Sequence, residues 1–335
     1  MNEVFKYQRI KGNLSELYKS ETITACCLEE NAIIVGTETG YVHVLSLSGK
    51  VIKRYHAHEG TVTGLAVDNN GITIFSCSEC GSAVINTMGI DGDEKETALT
   101  VTQPLKAICA EDSVSSKRER SFIVGGAGGQ LIHHRHAWFS QKDIELFRGS
   151  GTPVCALAWR GDVVAWADSS QVRVMDVATQ AAICYLNSPP NVGPSNPFPC
   201  RLFWESEYDL LVGWADSLRH LQLVYTSYSG GEDGQSRSGQ ADIRARLVAD
   251  WRCDTIVCGV SSFDQDHVAV LGYTPPDDKD DGGAVGPELM LMHRSDGSVV
   301  SADVLPLVGW DELSPESLHM VSNYSCYSRR SDYLK

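Results

Sequence analysis

Short apolar runs recur along the whole chain, alternating with polar positions or rich in β-branched residues, and Gly, Ser, Asn and Asp break them. That pattern predicts many short strands joined by turns. No window of helical length carries an apolar stripe at 3.6-residue spacing. The nearest, Gln141 to Arg148, reads as a strand or a single turn. One unit repeats: an apolar run, a turn of small residues, a second apolar run. Clear copies span Ile33 to Leu47, Thr73 to Thr87, Ser121 to Arg135, Val163 to Val177 and Leu210 to Val224. A looser copy begins at His267 to Thr274 and resumes at Glu288 to Arg294.

The five clear copies start at intervals of 40, 48, 42 and 47 residues. A period of that length with about four strands per period is the signature of WD-type propeller blades. Gly40, Gly81 and Gly129 hold equivalent places in the repeat, where a tight hairpin needs a positive φ. Outer strands flank each hairpin, as in Thr22 to Glu30 and Lys50 to His58. A lone blade exposes both faces of its sheet, and only stacking against neighbours buries them. The expectation is therefore an all-β fold: a seven-bladed WD-type β-propeller forming one domain over residues 1–335. The Trp-Asp dipeptide that closes such repeats stands only at Trp310-Asp311, so the repeats are degenerate. Three segments interrupt the rhythm: Gly/Ser-rich Thr226 to Gln240, acidic Pro275 to Pro287, and Pro-rich Ser188 to Pro199.

Charge narrows the partners. With 28 Lys and Arg against 43 Asp and Glu, the net charge is -15. Such a surface repels phosphate backbones and anionic headgroups, which argues against nucleic acid and favours partners with basic patches. Eleven cysteines in a chain of 335 residues do not make a small disulfide scaffold. Most lie inside apolar runs, where a free thiol packs as a small hydrophobe. No apolar run resembles a signal peptide or a membrane span. The expected compartment is the cytosol.

Chemistry-bearing motifs are weak. Cys77-Ser78-Glu79-Cys80 is a lone C-x-x-C without the second pair that zinc requires, and it falls on a hairpin. His133, His134 and His136 could supply two imidazoles on one strand face, against the simpler reading of a half-exposed strand edge. The acidic run Asp277 to Gly282 lacks the ligand spacing of a calcium loop, with Lys279 at its third position. No G-x-S-x-G occurs, and Gly125 to Gly129 lies between strands, not before a helix. These readings imply no enzyme, no cofactor and no metal. Trp159, Trp166, Trp204 and Trp214 read as wedges between blades. Trp138 and Phe139 follow a basic strand end and precede polar residues. They are either an exposed aromatic anchor for a partner or a piece of local packing.

Several blocks carry a family likeness. Ala158-Trp159-Arg160-Gly161 is followed by Val164 to Ala167, then by Phe198 to Trp204 and Leu211 to Trp214, with support from Ile34 to Leu45 and Phe122 to Gly126. In order and spacing these resemble the N-terminal WD-repeat β-propeller of the vacuolar protein sorting-associated protein 41 family, subunits of the HOPS tethering complex. The resemblance covers residues 5 to 335. It lacks the family's helical solenoid and RING-type module, and it implies a fragment whose last blade is missing or imperfect in its closing strands. It further implies a cytoplasmic protein, peripheral on late endosome, vacuole or lysosome membranes. Its role there would be vesicle tethering and fusion through other HOPS subunits and small GTPases of the Rab or Arf-like class. A propeller enzyme or ligand binder using a central channel, or a coat or pore-complex scaffold, is the alternative.

Overall fold

Six apolar residues in succession can be buried only on a strand that has neighbours on both sides and cover on both faces. The repeat's paired runs meet that condition. The computed structural model describes residues 5, 13–29, 31–68, 73–88, 93–111, 120–137, 140–190, 192, 198, 200–226, 242–274 and 286–305. Its strands fall in two compact units, the first up to Gly161 and the second from Asp162.

In the first unit, β1 (Ile23–Leu28), β2 (Ala32–Thr37), β3 (Tyr41–Ser46) and β4 (Val51–His56) form one antiparallel sheet in chain order. The same order recurs in β5 (Val62–Val67), β6 (Thr73–Ser78), β7 (Ser82–Met88) and β8 (Asp93–Thr100), and in β9 (Leu105–Ala110), β10 (Arg120–Gly126), β11 (Leu131–Ala137) and β12 (Ser140–Phe147). The fourth sheet comprises β13 (Ala156–Arg160), β14 (Val163–Ala167), β15 (Gln171–Asp176) and β16 (Ala182–Asn187). In the second unit follow β17 (Cys200–Trp204), β18 (Asp209–Trp214), β19 (Ser217–Thr226) and β20 (Asp242–Arg252), then β21 (Ile256–Ser262), β22 (His267–Thr274), β23 (Gly286–His293) and β24 (Val299–Val304).

This corrects the blade count. Among the described residues there are six four-stranded sheets, not seven, and the last of them has all four strands. The six hairpins are the six copies of the repeat. Long connections inside and between the sheets stretch the repeat's period. A period counts blades only where insertions do not stretch it.

The second strand of each sheet is buried most deeply, as in β6 and β14, whereas the outer β4 and β24 alternate between exposed and half-buried positions. The cores lie between consecutive sheets. In the first unit Phe75, Cys77 and Ile85 of the second sheet pack with Leu105, Phe122 and Val124 of the third, and the two phenyl rings meet at 5.6 Å. In the second unit Leu211, Leu218 and Trp251 pack with Val257, Val268 and Met290. Neither sheet could bury these residues alone. Trp159, Trp166, Trp204 and Trp214 are all buried, as wedge residues should be.

The hairpin glycines Gly40, Gly81 and Gly129 have φ of 82°, 84° and 82°. A β-carbon on Gly213 would stand 2.5 Å from a methyl of Val257, so this glycine lets the next sheet approach. Between the first two sheets, His58 lies between Ser82 (2.6 Å from Nδ1) and Ser76 (2.8 Å from Nε2), which satisfies a buried imidazole. One helix was not expected: α1 (Asn13–Ser20). It places Glu16 in its first turn and Lys19 in its last, and it seats Leu17 on Ile33, Val35 and Leu45. Eight residues are too few to show a helical period in sequence.

Candidate functional site

In a sheet whose strands run in chain order, the first and third turns lie at one edge and the second turn at the other. In the second unit the first-and-third-turn edge collects Asp162 before β14, Asp176 at the end of β15, Glu205 to Tyr208 between β17 and β18, and Tyr225 near the end of β19. Asp264 and Asp266 between β21 and β22, with Arg294 to Asp296 after β23, occupy the equivalent edge of the last sheet.

Two tyrosines stand out on this rim. Tyr208 is 50% exposed and Tyr225 39%, and their rings meet edge to face at 5.4 Å. Their backbone is held firmly. The Ser206 hydroxyl accepts from the amides of Tyr208 and Asp209, both at 3.0 Å, and donates to Asp209 Oδ2 at 2.8 Å. The Leu223 amide donates to the Tyr208 carbonyl at 2.6 Å. Val224 beside Tyr225 is also exposed. Burial, then the carboxylates of Asp162 and Glu207, raise the Tyr225 hydroxyl above its ordinary value, with Asp176 adding to the effect. The phenol therefore stays protonated, and three carboxylates from two sheets act on one ring.

The neighbouring guanidinium does not neutralise them. Arg294 is engaged two-pronged by Glu205, at 2.8 Å to Oε2 and 2.5 Å to Oε1, and donates again to Ser262 at 3.1 Å. That fork ties β23 to the turn before β18. Chemically, the arrangement is a rigid aromatic surface in a negative field, which can bind cations; a nucleophile activated by a base is not among its parts.

The sequence-derived candidates sit elsewhere. Trp138 and Phe139 lie outside the described residues, as does the run Asp277 to Gly282. Cys77 is buried in β6, where burial pushes its thiol up to about 12. Cys80 is exposed on the adjoining hairpin. The histidines are not a half-exposed edge. Strand β11 lies inside its sheet, and His133 and His134 are buried, His133 against Trp159 at 5.1 Å and His134 against Phe122 at 4.6 Å. Ser121 Oγ lies 2.7 Å from His133 Nε2, and Asp143 Oδ1 lies 2.6 Å from His134 Nδ1. Among the described residues no three His, Cys, Asp or Glu converge as a metal site. A cavity of about 300 Å³ in the first unit is lined by Gln103, Gln130, Glu145 and Arg148, with Glu145 and Arg148 paired at 3.4 Å. Sequence reasoning missed the tyrosine rim. Its one local signal was an aromatic set among acids in the turn Glu205-Ser206-Glu207-Tyr208-Asp209.

Comparisons with known proteins agree with this architecture. The Vps41 beta-propeller family model, described as the Vps42 beta-propeller, matches residues 5–334. The vacuolar protein sorting-associated protein 41 homolog of Solanum lycopersicum is 28% identical over 323 residues, covering 91% of this chain and 32% of that protein. The Homo sapiens homolog is 23% identical over 271 residues, covering 80% of this chain and 30% of that protein. The chain thus spans about a third of the length of these curated relatives. In fold it is similar to the crystal structure of the Myceliophteria thermophila Cps50 (Swd1) beta-propeller domain. That match has a TM-score of 0.60 at 15% identity and covers 86% of this chain and 88% of that one. Among the described residues no helix is long and apolar enough to cross a membrane. On the match over residues 5–334, the chain belongs to the Vps41 beta-propeller family.

Proposed function

We propose that this chain is a single, non-enzymatic protein-interaction propeller of a HOPS-type tethering complex. It acts in vesicle transport and fusion at the late endosome, vacuole or lysosome. Its partners are other HOPS subunits and small GTPases of the Rab or Arf-like class, and it is cytoplasmic, associating with membranes through those partners. The observation that carries this reading is the family match over residues 5–334, joined by relatives named for vacuolar protein sorting. The fold supports it: rigid four-stranded sheets hold turns whose side chains are free to recognise a partner. Trp138 and Phe139 are proposed as one partner anchor.

The test is a pull-down of Rab and Arf-like proteins of the late endosome with the full chain, each GTPase loaded with GTP or with GDP. Retention of at least one GTP-loaded form, weakened about tenfold or more by Trp138→Ala with Phe139→Ala, is the expected result for an aromatic hot spot. Absence of binding to every such GTPase overturns the partner assignment.

A further inference from the structure

We propose that the rim built around Tyr208 and Tyr225 is a docking surface for a lysine- and arginine-rich segment of a partner protein. The inference rests on reading this chain as a protein-binding module and names the chemistry of one partner at one place.

Three observations converge on a cationic polypeptide. First, two tyrosine rings are exposed edge to face on a backbone fixed by hydrogen bonds, an ordered aromatic surface that needs no rearrangement to bind. A guanidinium or ammonium group over such a ring is attracted by its electron-rich face. Second, Asp162, Asp176 and Glu207 lie at or beside turns of the same rim and act on the Tyr225 hydroxyl, and among the described residues none of the three is in an ion pair. The nearby Arg294 is spent on Glu205. Third, these carboxylates do not converge into a metal-holding group. Carboxylates spread over two sheets suit several cations spaced along a chain better than one ion held by all. The net charge of -15 disfavours anionic lipid and nucleic acid at the same surface.

Asp264, Asp266 and Asp296 extend the negative edge along the last sheet, all exposed. A basic segment would run along the rim, one cation over the tyrosines and others beside the carboxylates.

The test uses the full chain and a fluorescein-labelled peptide of alternating arginine and glycine, followed by fluorescence anisotropy at low and high salt. A glutamate–glycine peptide and phosphatidylserine vesicles serve as alternative probes. Saturable binding of the arginine peptide alone is expected. Replacing both tyrosines by alanine should weaken it about fivefold to tenfold, as loss of two exposed cation–aromatic contacts implies. Tyr208→Phe with Tyr225→Phe keeps the rings and should keep the affinity, which separates ring loss from misfolding. Asp162→Asn, Asp176→Asn and Glu207→Gln together should weaken binding about tenfold at low salt and less at high salt. Glu38→Gln, Glu59→Gln and Glu145→Gln, an equal charge change in the first unit, should leave it within about twofold. Equal loss in that control, no loss in the tyrosine pair, or preference for the vesicles would overturn the proposal. No GTPase takes part, so this outcome and that of the pull-down stand apart.

Discussion

One pair of strands, β14 and β15, carries charge at both ends and treats it in opposite ways. At the end where Ala167 pairs with Val172, Asp168 is sealed in. It accepts from the Ser170 amide (2.8 Å) and hydroxyl (2.6 Å), from the Gln171 amide (3.1 Å) and from Arg173 (2.5 Å), whose guanidinium lies 5.9 Å from the Trp166 ring. At the other end Val163 pairs with Asp176, whose carboxylate accepts from the Thr179 amide at 2.8 Å. Asp162 and Asp176 act on Tyr225 of the next sheet without a cation of their own among the described residues. The residue types match and the strands are the same. What differs is satisfaction: a carboxylate that has used its lone pairs internally holds the fold, while one left without a counter-ion is available to a partner.

The sharpest way to test this contrast is Asp168→Ala. It leaves the Arg173 charge buried without its partner, which should remove about 3–5 kcal/mol of stability in chemical denaturation, whereas Asp168→Asn should lose less. The next effect shows that the interior of the first unit likewise admits no unmatched charge. Burial, then Arg135 and His134, push the His133 imidazole down to about 4 from its usual 6.5. The folded state holds the ring neutral, so its contribution is complete above pH 6.5 and is lost as pH falls toward 4. That should amount to about 3 kcal/mol, and His133→Gln should flatten the stability profile over this window. The smallest effect belongs to the open end. Tyr225→Ala should change the melting free energy by within about 0.5 kcal/mol, since an exposed ring stabilises little. A large loss there would mean that the rim is part of the fold's support and would dissolve the comparison.

Much of the architecture was legible along the chain. The runs Ile33 to Leu47 and Val163 to Val177 became β2–β3 and β14–β15, and Gly40, Gly81 and Gly129 took the left-handed conformation their place required. The four tryptophans read as wedges are buried. The blade count was not legible, because connections such as the one between β19 and β20 stretch the period from which blades are counted. Nor was the environment of His133 and His134. Burial on a strand depends on what covers its faces, and His133 is covered by Trp159 of the next sheet, 26 residues further along the chain.

The sequence alone determined strand positions, hairpin glycines and the negative surface, because alternation, backbone freedom and net charge belong to residues and their immediate neighbours. Only the tertiary structure decided that six sheets form among the described residues, that Tyr208 meets Tyr225, and that Asp168 is neutralised while Asp162 and Asp176 are not. Each of these depends on groups far apart in the chain that meet only when sheets stack and registers align. The charge of a side chain is written in its codon, but its counter-ion is assigned by the fold.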